Sequence, residues 1–244
     1  MVDDALAGAT PWSGPAPKAL IVPHAGYVYS GAIAATGYRT LAAARDTIRR
    51  VVLLGPAHHV GVSGLAVSGA DAFVTPLGPV PVDAELRDAV GALPGVAVDD
   101  LAHAPEHSLE VHLPFLQRAL SRFTVLPVIV GRADAEMVAS VLDAVWGGPE
   151  TLIVVSSDLS HYLDHARASA RDRLTADAIV AGRIDALTPE DACGVAPVRG
   201  LVVAAARHGL HAEPLDLRTS GDTAGDRDRV VGYGAFAFVR TAGP

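Results

Sequence analysis

The sequence predicts an α/β fold, a mostly parallel sheet core flanked by helices, and three stretches carry the prediction. VVLLG at 51–55, FTVLPVIV at 123–130 and TLIVVSS at 151–157 are runs of branched apolar residues too short for spanning helices. Such runs mark strands buried on both faces, as in a parallel sheet. Segments of helical length separate them, so strand, crossover and strand repeat along the chain.

In chain order, residues 1–17 are rich in Pro, Gly and Ala and read as a surface segment. Lys18–Val22 reads as a short buried strand ended by Pro23, with His24 next in the string PHAGYVYSG. Ser30 is positioned to cap a helix over about 31–44. The strand from Val51 follows, stopped by Gly55 and Pro56, with His58 and His59 immediately beyond. Residues 64–83 alternate and are broken by Pro76, Pro79 and Pro81, which predicts a hairpin extension. Asp83 caps a helix to about Leu93.

Leu109, Leu113, Leu116 and Leu120 fall at helical spacing, with Ser108 as a cap. The strand over 123–130, a helix over 135–146 and the strand over 151–156 complete a second unit. A long helix spans about 164–184 and another about 197–209. Strands at about 213–218 and 230–239 close the sheet as a hairpin.

Composition excludes several classes of function. Half of the 244 residues are hydrophobic, enough for a large core, and length alone leaves one domain or two open. A net charge of −8, with no basic stripe, argues against nucleic acid as a partner. No apolar run approaches the roughly 20 residues that cross a bilayer, so no membrane association is expected. The amino terminus has acids where a signal peptide carries bases. The single cysteine, Cys193, excludes an internal disulfide, and a cytoplasmic protein is the expectation.

The chemistry gathers at strand ends, where open α/β sheets place their ligand sites. His24 follows the first strand, His58 and His59 the second, and Asp158 and His161 the strand at 151–156. Parallel strands bring these ends to one rim, within reach of a common ion. Glu106, His107 and Glu110 cluster before a helix. Neither HExxH nor HxxEH is present, so a zinc-protease signature is excluded on spacing. Cys193 precedes a helix; a helix amino end favours thiolate, whereas burial makes a cysteine inert.

PHAGYVYSG, GPAHH, EHSLEVHLPFLQ, SSDLSHY and ACG, in that order, resemble the motifs of the Memo protein family, whose bacterial and archaeal members are called AmmeMemoRadiSam system protein B. The resemblance covers residues 18–239 and implies one Memo-like α/β metal-binding domain over 18–244, similar in fold to class III extradiol dioxygenases of the LigB type. It implies His24, His59 and Cys193 as metal ligands, where spacing alone left His58 and His59 open. Asp158, His161 and His107 would act as catalytic groups, and His58, Glu106 and Glu110 would line the cleft.

Fe(II) is the metal this implies first, with copper or zinc also suited to two imidazoles and a thiolate. The expected function is an iron-dependent oxidoreductase acting on a small molecule in the cleft. The alternatives are a non-catalytic metal or redox partner of radical SAM and AMMECR1-type proteins, or a zinc hydrolase. The segment between His161 and Cys193 is shorter than is usual in the family, which bears on the cover of the cleft.

Overall fold

The structure, a computed structural model, describes residues 1–240; residues 241–244, part of the expected domain, lie outside them. It is a single α/β domain of three layers. Eleven strands are present among these residues: β1 Ala19–Val22, β2 Arg50–Pro56, β3 Leu65–Val67, β4 Ala72–Thr75, β5 Gly78–Pro81, β6 Val96–Val98, β7 Thr124–Val130, β8 Thr151–Ser156, β9 His161–Leu163, β10 Leu210–Thr219 and β11 Val230–Arg240. Nine form the main sheet, in the order β10-β11-β1-β8-β2-β7-β3-β6 with β9 paired to β11. The centre, β1-β8-β2-β7, is parallel. Antiparallel pairing begins at β11 on one side and at β3 on the other. The predicted hairpins exist: β4 pairs with β5, and β10 with β11.

Alternation along each strand divides the core in two. Ala19, Ile21, Val52, Leu54, Ile153 and Val155 face one layer, together with α3 (Ala84–Gly91), α6 (Ala135–Ala144), α7 (His165–Val180) and α8 (Val195–Arg207). Leu20, Val22, Val51, Leu53, Leu152 and Val154 face the other, against α2 (Tyr27–Arg39) and α5 (Leu113–Ala119). These strand residues are fully buried, and each Val, Leu or Ile side chain among them contributes about 1.5–3 kcal/mol over leaving it in water.

Several boundaries differ from the sequence expectation. The amino-terminal segment carries a helix, α1 (Val2–Gly8), whose Val2, Ala5 and Leu6 pack against the second layer. Ser30 lies inside α2 rather than capping it, since Gly26 is the cap and the Ser30 hydroxyl turns back to Ala25 O. Ser108 also caps nothing; it is buried and donates to Pro56 O, so a 3-10 turn at Glu110–His112 precedes α5. In both cases the hydroxyl is already engaged by a backbone carbonyl, which competes with capping. Asp83 and Asp134 do cap, accepting from Leu86 N and Met137 N. Among the described residues no helix is long and apolar enough to cross a membrane.

Candidate metal centre

The sheet order explains the site. β8 lies between β1 and β2, all three parallel, so the residues just past Val22, Ser156 and Pro56 emerge side by side at one rim. Open α/β sheets place their ligand crevices outside the carboxyl ends of the strands, and this rim carries one. The crevice is a cleft of about 670 Å³ walled by His24, His58, His107, Asp158, His161 and Cys193, among others.

Three imidazoles converge there. His24, His58 and His107 each offer a ring nitrogen within 4.8 Å of the others, spacing that can hold one metal ion. Ring centroids of His24 and His58 are 5.2 Å apart, of His24 and His107 5.7 Å, and of His58 and His107 5.1 Å. His24 is the buried member; His58 and His107 face solvent. Burial, with the neighbouring imidazoles, depresses the pKa of His24 to about 3, so the ring is neutral and can act as a ligand.

Glu106 holds the other two in place. Its Oε1 accepts from His58 Nδ1 at 2.9 Å, and its Oε2 accepts from the His58 backbone N–H at 2.7 Å. Oε1 also accepts from the backbone N–H groups of His107 and Ser108. Burial alone would raise this carboxyl; the hydrogen bonds from His58 and Ser108 outweigh it and hold the pKa well below the usual carboxylate range. A buried carboxylate stays charged when donors surround it.

Asp158 and Cys193 form the floor. Asp158 Oδ1 accepts from His24 N at 2.8 Å and Ala25 N at 3.3 Å, which fixes the loop carrying His24. Burial raises its carboxyl to about 6. Cys193 Sγ lies 3.4 Å from His24 Nε2 and accepts from Asp158 N at 3.3 Å. Gly194 N donates to Ser157 Oγ at 3.0 Å, docking this turn onto the end of β8. The thiol does stand before α8, but burial and the Asp158 carboxylate push it up to about 12. Desolvation here outweighs the helix end.

The rim carries His161 and Tyr162. Tyr162 has φ 62°, the one non-glycine residue with positive φ among the described residues. The Arg229 guanidinium stands 4.5 Å over its ring. A residue held in this region stores strain that its surroundings must offset.

The expected residues separate as follows. His24, His58, His107, Asp158, His161 and Cys193 share the cleft, with Glu106 behind them. The nitrogen trio contains His58, the first imidazole of the pair, because Glu106 grips its ring and backbone together. His59, the expected ligand, is exposed one residue further on, its ring 5.8 Å from that of His107. Glu110 is exposed beside Tyr27 and outside the lining.

Sequence reasoning missed Ser156 and His112. Ser156 Oγ contacts His24 Nδ1 at 2.6 Å and His112 Nε2 at 2.8 Å. The signal was present in the two serines ending the apolar run of TLIVVSS, where β-branched residues would be ordinary.

The chain is thus an α/β protein with three imidazoles gathered at the carboxyl rim of its sheet, in a spacing that could hold one metal ion. A profile of the Memo-like protein family matches residues 1–237. A MEMO1 family protein of Aquifex aeolicus is 37% identical over 97% of this chain and 91% of its own. One of Methanopyrus kandleri is 38% identical over 91% and 83%, and one of Methanosarcina mazei 39% over 88% and 84%. The chain belongs to the Memo family. It shares its fold with an uncharacterized protein, JW3007, of Escherichia coli K12, at TM-score 0.55 and 13% identity over 88% of this chain and 98% of that one.

Proposed function

We propose that this protein is a non-haem iron oxidoreductase that binds a small molecule in its histidine-walled cleft. The observation that carries the reading is the convergence of His24, His58 and His107 nitrogens within 4.8 Å, with the Cys193 sulfur 3.4 Å from His24 Nε2. Imidazole nitrogen with thiol sulfur is a donor set for iron, zinc or copper rather than for magnesium or calcium. The residues fit such an ion, His24, His58 and His107 holding it and Cys193 serving as a further donor. When bound, the metal supplies Lewis acidity and, if it is iron, electron exchange.

The remaining side chains have defined tasks. A cleft of about 670 Å³ is the size of a small-molecule site. Asp158, with its carboxyl at about 6, can hold or release a proton near neutrality. His161, on the wall, is the group that exchanges protons with a phenolic ligand. Tyr162, its ring stacked with Arg229, adds an aromatic side chain to the wall.

Anaerobic loading with Fe(II), then addition of oxygen with a panel of phenols, tests the proposal. Oxygen consumption that depends on a phenol and disappears in His58→Ala supports it. Iron bound with no oxygen consumed on any phenol overturns the oxidoreductase reading. Hydrolysis by the zinc-loaded protein, indifferent to oxygen, would replace it with the hydrolase reading that a thiol donor favours. Copurification of radical SAM or AMMECR1-type proteins with a metal site that consumes no oxygen would favour instead the non-catalytic partner role that the family resemblance implies.

A further inference from the structure

We infer that Ser156, braced by the buried His112, fixes the tautomer of His24 and so turns a bare Nε2 lone pair into the cleft. The inference rests on the reading of His24 as a ligand and makes Ser156 and His112 positioning residues.

The argument is a count of protons. Ser156 Oγ has three neighbours: Ser108 O at 2.6 Å, His24 Nδ1 at 2.6 Å and His112 Nε2 at 2.8 Å. A carbonyl has no proton to give, so the single hydroxyl proton goes to Ser108 O. A hydroxyl keeps two lone pairs, and the two imidazoles must each donate into one of them. His24 therefore carries its proton on Nδ1. Its Nε2 is unprotonated and faces the Cys193 sulfur, on the side of His58 and His107.

Burial makes the count binding. Ser156 is 0% exposed, His112 1% and His24 3%, so bulk water does not compete for these contacts. His112 reaches no cleft-lining position, and its Nδ1 has no hydrogen-bond partner among the described residues. An imidazole buried with one nitrogen unsatisfied carries a desolvation cost. Its Nε2–H fills the second lone pair of Ser156, so the hydroxyl cannot rotate to donate to His24.

His24 and His58 are thus oriented by different chemistry. His58, at the wet edge, donates Nδ1–H to the charged Glu106; His24, in the dry interior, donates to a neutral hydroxyl that brings no further charge. Partners of ligating histidines set ring orientation and tautomer in this way.

The test is long-range 1H–15N correlation NMR on metal-free protein labelled at its 10 histidines, with His112→Phe used for assignment. The expected spectrum has His24 protonated at Nδ1 and His112 at Nε2; a wild-type His24 protonated at Nε2 overturns the inference. In Ser156→Ala, His24 is expected to populate the Nε2–H form and Zn(II) affinity to fall about tenfold or more, with Ser156→Thr restoring both. A Ser156→Ala protein that keeps the wild-type tautomer and Zn(II) affinity also overturns it. If Ser156→Ala does not fold, the wild-type spectrum decides. The expected tautomers with no Zn(II) binding in wild type support the lock and count against the metal reading alone.

Discussion

Glu106 accepts both the ring Nδ1–H of His58, at 2.9 Å, and its backbone N–H, at 2.7 Å. A carboxylate has no proton to offer, so His58 carries a proton on Nδ1, and in the neutral ring Nε2 is the nitrogen left to bind a metal. One side chain thereby sets the position, rotation and tautomer of a proposed ligand.

Glu106→Gln tests that arrangement. An amide donates from one end, so at least one of the N–H groups of His58, His107 or Ser108 would face another donor. Zn(II) affinity in a competitive chelator titration is expected to fall about 10–100-fold, with the fold retained by circular dichroism. Unchanged affinity would remove Glu106 from the site.

Acid should destabilise the metal-free protein. Burial depresses His24 and His112 to about 3, so below pH 6.5 the unfolded chain binds protons that the folded chain refuses. Stability is fully present above pH 6.5 and falls as pH is lowered. Burial raises Asp158 to about 6, and this group acts oppositely, gaining stability as pH drops from 6 towards 3.8. Between pH 7 and 5 the two histidines lose more than Asp158 returns, a net loss on the order of 2 kcal/mol. Urea midpoints at the two pH values measure it; a midpoint unchanged or higher at pH 5 would contradict the neutral, buried state of both histidines.

Gly194→Ala should disturb the thiol. A Cβ at this position would lie 2.6 Å from Ser156 O and 2.7 Å from Ser157 Cβ, so the turn carrying Cys193 must back away from β8. A destabilisation of about 1–3 kcal/mol is expected, with weaker Co(II) binding and a reduced thiolate-to-cobalt absorption band. An unaltered band would show that the thiol is not held by this contact.

The sheet was legible because period and composition determine it. β2, β7 and β8 are each centred on branched apolar residues, and the rule that parallel strands share a carboxyl rim places His24, Asp158 and the His58–His59 pair together. The choice within the pair was not legible. Beyond Pro56 the chain leaves regular structure, so no periodicity tells which imidazole turns inward, and the deciding group, Glu106, is 48 residues away in sequence. His112 sits among Leu109, Leu113 and Leu116 and reads as a helix-face residue. Its partner Ser156 is 44 residues distant. The thiol at Cys193 shows the same limit, since its place before α8 is local but its desolvation depends on β8.

The most direct measurement is the metal content, by elemental analysis, of protein purified without added metal and of His24→Ala, His58→Ala, His107→Ala, Cys193→Ala and His59→Ala variants. The expected result is about one equivalent of a transition metal in the wild type and in His59→Ala, and strong loss in His24→Ala, His58→Ala and His107→Ala, with Cys193→Ala intermediate. Full occupancy in His58→Ala together with loss in His59→Ala would contradict the centre described.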